Sequence, residues 1–216
     1  MSHAESCKSS CSSSSNLAGK FSSALQTRLA RGVAAGLCTL ALAEPMVTPA
    51  LAQGDFTLTS PAFSDDGWLP DDLKCTRDGG DGLTPPLTWG DVPDGTQSLA
   101  LIMHHYPKGT VEGRDAPSQY WLLWNLPADT HALPRGNPAS LGDEGADKDK
   151  KRIGYTPPCS PPGLEGSYHE YMITLYALKA PLDALPDHDD MSVNWETMTE
   201  ALKGKVIDSS SITLRN

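Results

Sequence analysis

A run of prolines constrains this chain more than any other feature. Residues 154–163 read Gly-Tyr-Thr-Pro-Pro-Cys-Ser-Pro-Pro-Gly. Four prolines in ten residues fix φ and delete backbone donors, which rules out both a helix and a central strand, so the segment is a stiff loop. Residues 168–178, Tyr-His-Glu-Tyr-Met-Ile-Thr-Leu-Tyr-Ala-Leu, are rich in aromatic and β-branched side chains. With period two they place His169, Tyr171, Ile173, Leu175 and Ala177 on one face of a strand. An imidazole and a phenol then stand at the loop end of an apolar face. A shallow pocket at the end of a β-sandwich could be built this way.

Other segments supply the partners for such a strand. Residues 56–59 alternate and stop at Ser60-Pro61, giving a short edge strand. Residues 63–89 are dense in Asp, Gly and Pro and read as loops; the acidic glycine-rich run 75–82 lacks the alternating oxygen ligands and closing Glu of a calcium loop. Residues 98–103 form the most apolar short run after residue 52, a strand buried on both faces, with Leu99, Leu101, Met103 and, by parity, His105 on one side. Residues 106–118 read as a polar loop. The next buried strand is 119–127, with Tyr120, Leu122 and Trp124 sharing a face; Trp121 and Trp124 belong to the core and Trp68 to an exposed loop. Residues 131–151 show no period and read as a long surface excursion. Residues 192–203 carry Trp195, Met198 and Leu202 at helical spacing, with Ser192 or Asn194 to cap the start and Gly204 to end it. Residues 206–214 return as a strand. One late helix among punctuated strands predicts a mostly β sandwich.

The 216 residues carry a formal net charge of −10. Residues 1–52 hold Lys8, Lys20, Arg28 and Arg31 against Glu5 and Glu44, so the remainder is more acidic still. Such a surface argues against nucleic acid or an anionic membrane as an electrostatic partner. Residues 1–20 are polar and Ser-rich, a disordered extension. Arg28 and Arg31 precede the apolar run 32–43, which is too short to span a bilayer, and small residues end at Pro49-Ala-Leu-Ala52. This is the pattern of a secretory signal cleaved after Ala52, with a secreted or periplasmic product; a disordered terminus or an uncleaved anchor is the alternative. Cys7, Cys11 and Cys38 fall in that segment. Cys75 and Cys159 remain, an even pair for which an oxidising compartment favours a disulfide over two separate buried thiols.

Several motifs carry a resemblance. Cys75-x-x-Asp78-Gly79 before Pro85-Pro-Leu-x-Trp89, Asn125-Leu-Pro-Ala-Asp-Thr130, the loop at Pro158-Cys159, His169-x-Tyr171 and Leu175-Tyr-Ala-Leu178 occur in that order. Together they resemble the phosphatidylethanolamine-binding protein family, in its bacterial Raf-kinase-inhibitor-like branch, over about residues 56–214. The resemblance implies that residues 53–216 form one β-sandwich domain with Pro- and Gly-rich loops and a C-terminal helix, binding an anionic or phosphorylated head group without catalysis or a cofactor. Pro158, His169 and Tyr171 match the family pocket directly. Two other positions depart from it. His104-His105-Tyr106-Pro107 stands where the family has Asp-Asp-Pro-Asp, and Tyr120 precedes Trp121 where the family has His. The expected ligand site is therefore His105, Tyr120, Pro158, His169 and Tyr171, friendlier to anions where His105 becomes cationic near neutral pH; the alternative is that the same trade abolishes binding of the family's ligand, since a pocket's shape can outlast its ligand.

Three other readings compete. A protein partner, as for an inhibitor of a protease or kinase, fits the acidic, loop-rich surface. Metal binding by His105, His169 and Tyr120 lacks a supporting carboxylate or thiolate, and His104 and His105 point to opposite faces. A hydrolase would need Ser160 near His169, without a Gly-x-Ser-x-Gly elbow.

Overall fold

The computed structural model describes residues 54–162 and 166–216. The export-signal reading of residues 1–52 lies outside them. Nine strands and one α-helix run in the order β1 (Thr57–Thr59), β2 (Gly67–Trp68), β3 (Leu87–Gly90), β4 (Ser98–His105), β5 (Ser118–Pro127), β6 (Ala132–Leu133), β7 (Asp143–Glu144), β8 (Glu170–Leu178), α1 (Trp195–Leu202) and β9 (Val206–Arg215). They form a three-stranded sheet, β1-β3-β6, and a six-stranded sheet, β2-β9-β8-β4-β5-β7. The described residues form a mostly β sandwich with one α-helix, as the punctuated alternation predicts.

Between the two sheets lies the larger core. Phe56, Leu58, Leu87, Trp89 and Leu133 meet Leu99, Leu101, Met103, Trp121, Leu123, Ile173 and Leu175 there. The opposite face of the large sheet buries Ala100, Ile102, Leu122 and Trp124 against Met198, Ala201 and Leu202 of α1. All eight residues of β4 are buried, because this strand is central in its sheet and covered on both sides. Burying each large apolar side chain contributes roughly 1.5–3 kcal/mol, so these two layers dominate stability. α1 starts at Asn194, whose side chain accepts from the Thr197 N–H while the Thr197 hydroxyl accepts from the Asn194 N–H. This reciprocal cap is worth about 1 kcal/mol.

Three expectations are corrected. Residues 63–89 are not all loop, since Gly67–Trp68 pairs in parallel with β9 and Leu87–Gly90 pairs with β1 and β6. The excursion 131–151 contains β6 and β7, two-residue strands with no periodicity to read, which are fixed only by their partners. Tyr120 does not share a face with Leu122 and Trp124. The β4–β5 register shifts between Met103 and His104, so Tyr120 and Trp121 both turn into the inter-sheet core. A β-bulge of this kind inserts one residue and re-aims a side chain.

Candidate functional site

The ends of β4 and β8 build the site. The two strands run antiparallel with Met103 opposite Ile173 and His104 opposite Met172. His105 is therefore the last residue of β4 on the face that carries Tyr171. Its ring lies 4.7 Å from that of His169 and 5.1 Å from that of Tyr171. The bulge brings in the Tyr120 ring, 6.3 Å from His105 and 4.8 Å from Tyr171.

The proline loop closes over this cluster and is tied down on both sides. Cys75 and Cys159 are bonded, with Cα atoms 5.2 Å apart, and the Cys75 N–H donates to the Pro158 carbonyl at 2.8 Å. The Arg77 guanidinium donates to the Ser160 carbonyl, and the Ser160 N–H donates to Asp78 Oδ2 at 2.5 Å. Arg77, followed by the Ser160 N–H, holds the Asp78 carboxyl well below the usual carboxylate range. The Thr156 N–H donates to the Tyr120 carbonyl at 2.7 Å, joining the loop to β5. The main chain of Ser160 is thus clamped between Arg77 and Asp78.

A cavity of about 630 Å³ opens at this end. Among the described residues it is lined by His104, His105, Tyr106, Lys108 and Glu112 on one side and by Pro161, Pro162, Ser167, Tyr168, His169, Glu170 and Met172 on the other. Of the five residues expected at the site, His105 and His169 line it. Tyr120, Pro158 and Tyr171 stand outside its lining: Tyr120 and Tyr171 pack into the core next to His105, and Pro158 is buried within the loop. His104 was placed on the opposite face, and its ring does pack 5.1 Å from Trp195, yet it also lines the cavity because the hollow wraps around the strand end. Lys108, Glu112 and Tyr168 carry no pattern that marks them; only their loops' approach to the strand end places them here.

The state of His105 decides the chemistry. Its Nδ1 is 2.7 Å from the Glu170 carbonyl oxygen, which can only accept, so Nδ1 carries the proton and donates. Nε2 is then a bare lone pair, and it is buried without a partner. Burial pushes His105 below its ordinary pKa despite the carbonyl's opposing pull, and burial, helped by His105, pushes His104 down to about 4. Both rings are neutral at pH 7. The expectation that His105 brings positive charge near neutrality is therefore revised: it brings an acceptor. Burial, then the neighbouring Tyr120 phenol, pushes Tyr171 far up, so it also stays neutral. Among the described residues, the one group of three potential metal ligands within 4.8 Å is Cys75, Asp78 and Cys159, whose sulfurs are bonded to each other.

Comparison with known proteins places these features in context. The family model for phosphatidylethanolamine-binding protein matches residues 59–215. A UPF0098 protein of Methanothermobacter thermautotrophicus is 33% identical over 162 residues, covering 72% of this chain and 94% of its own length. The lipoprotein candidate LppC of Mycobacterium tuberculosis is 32% identical over 143 residues, covering 64% of this chain and 63% of its own. The crystal structure of a phosphatidylethanolamine-binding protein homologue from Chlamydia trachomatis superimposes with a TM-score of 0.61 at 29% identity, over 74% of this chain and 96% of that one.

Proposed function

Because the chain belongs to the phosphatidylethanolamine-binding protein family, we propose that it is a non-enzymatic, exported binding protein that holds a small phosphorylated or otherwise anionic ligand in the cavity lined by His105 and His169. The observation that carries this reading is the buried, unpartnered Nε2 of His105, a residue that lines the cavity. Such an atom is costly to leave without a donor. A hydrogen phosphate group, or the ammonium of a phosphorylated amine, supplies that donor, while the adjacent Lys108 supplies charge for the anionic oxygens. Glu112 and Glu170, which also line the cavity, disfavour ligands with a large excess of negative charge.

Export is supported by the Cys75–Cys159 bond, a linkage that persists in oxidising compartments, and by the lipoprotein designation of one relative. Residues 1–52 then serve as the export signal and 53–216 as the binding domain. Among the described residues no helix is long and apolar enough to cross a membrane.

The test is a thermal melt with inorganic phosphate and with O-phosphoethanolamine against matched sodium chloride. Both ligands raise the melting temperature of the wild type, and His169→Ala removes the rise. Equal shifts in the two proteins exclude the site. A second reading, a protein-binding role such as inhibition of a protease or kinase, draws on Trp68, which is 61% exposed and packs edge-on against Tyr168 at the cavity rim. Exposed aromatic pairs of this kind are common anchors for protein partners.

A further inference from the structure

A second, smaller cavity lies on the other side of the proline loop and belongs to none of the chemistry above. It holds about 280 Å³ and is walled by three loops, at residues 82–84, 136–142 and 153–155, together with Glu144 of β7 and Asp189. Backbone bonds knit these walls: the Gly136 N–H donates to the Thr84 carbonyl at 3.0 Å and the Gly154 N–H to the Gly145 carbonyl at 2.9 Å. The Glu144 N–H donates to Asp189 Oδ1 at 2.8 Å, which fixes the second carboxylate beside the first.

Three observations point to a ligand. Thr84 is only 6% exposed and its hydroxyl has no partner, and the Tyr155 hydroxyl is likewise buried and unpartnered. Both residues line this hollow. A buried hydroxyl without a partner, such as that of Thr84 beside this hollow, is unusual unless something polar reaches it. Glu144 is held in place by the Trp121 indole N–H, which donates to Oε1 at 2.6 Å, leaving Oε2 directed at Gly154. A Cβ at Gly154, where φ is +99°, would come within 2.8 Å of that oxygen, so glycine keeps the space beside the carboxylate open.

The sign of the site follows from its charges. Among the described lining residues there are two carboxylates, Glu144 and Asp189, and no cationic side chain. The guanidinium of Arg135, next to Gly136, is engaged by Asp72 and Asp81. Anions are therefore disfavoured and a cation with N–H donors is favoured. We propose that this cavity is a binding site for a small aliphatic amine, whose ammonium group sits against Glu144 Oε2 and donates to the Thr84 and Tyr155 hydroxyl oxygens. Burial, with Asp189 adding to it, holds the Glu144 carboxyl above its ordinary range, and the opposite charge of a bound ammonium offsets this by favouring the ionised carboxylate.

The purified, oxidised protein is melted with 1,4-diaminobutane and with methylammonium chloride, against sodium chloride of equal ionic strength. A saturable rise is expected with the amines, about 5–10 °C at a hundred times Kd. Glu144→Gln, which keeps an oxygen for the Trp121 indole, lowers the affinity at least about tenfold, a loss of one charged partner. Thr84→Val, which removes only an unpartnered hydroxyl and so leaves the fold intact, weakens binding several-fold. His169→Ala leaves amine binding unchanged, which separates this site from the first cavity. No rise beyond the salt control, an equal rise in Glu144→Gln, loss of binding in His169→Ala, or a soaked crystal showing only water between Thr84 and Glu144 overturns the proposal.

Discussion

The Nδ1–H of His105 donates to the main-chain carbonyl of Glu170 across 2.7 Å, and this one bond leaves the buried Nε2 as an acceptor without a partner. At pH 7.5 phosphate, which retains a proton, binds more tightly than sulfate, which has none to give. The gap is about tenfold, roughly one hydrogen bond. His105 is held below its ordinary range by burial, so only at pH well below neutral does it take up a proton, after which Nε2 becomes a donor and sulfate gains more than phosphate. Isothermal titration at the two pH values reads both affinities; equal affinity at pH 7.5 removes the acceptor from the account.

His104 makes folding sensitive to acid. Its pKa in the fold is about 4, lowered from 6.5 by burial, so the unfolded chain binds the proton first as pH drops. The stability is fully present above about pH 6.5 and is lost between there and pH 4, by roughly 3 kcal/mol at 1.36 kcal/mol per unit. Urea melts across this range follow the loss. In His104→Leu the slope flattens by this amount, and an unchanged slope assigns the acid sensitivity elsewhere.

Closing 84 residues of chain, the Cys75–Cys159 bond restricts the unfolded state. Its removal in Cys75→Ser with Cys159→Ser lowers stability by about 4 kcal/mol, or roughly 10 °C in melting temperature. Mass spectrometry of the non-reduced protein yields one peptide pair linked through residues 75 and 159. Two alkylatable thiols at these positions refute the bond.

Tyr171 is almost wholly buried, and its hydroxyl has only the neighbouring Tyr120 phenol beside it, with no hydrogen bond of good geometry formed. Tyr171→Phe leaves stability unchanged or raises it by about 1 kcal/mol, since an unsatisfied buried hydroxyl is a burden on the fold. Phosphate affinity stays the same because the phenol stands outside the cavity lining. A tenfold loss of affinity would return Tyr171 to the rim, where its place on the strand suggests it.

Much of this was legible in the sequence because burial writes its own period. The unbroken apolar run became β4, the alternation after the proline loop became β8, and Asn194 and Gly204 bound the helix. Trp121 and Trp124 went to the core and Trp68 to the surface. The family motifs placed His105 and His169 near one another, because each sits at the end of a strand whose parity can be counted.

Tertiary structure decided what parity cannot reach. A bulge opposite Met103 and His104 turned Tyr120 inward, and nothing in residues 119–127 marks where that extra residue falls, since a bulge is set by the partner strand. Two-residue strands such as β6 and β7 exist only through their pairing. The proton on His105 was fixed by the Glu170 carbonyl, and the second hollow by segments spread from residue 82 to residue 189. Local pattern encodes which side chains leave water; hydrogen-bond partners and cavities belong to distances across the chain, which only the packed structure holds.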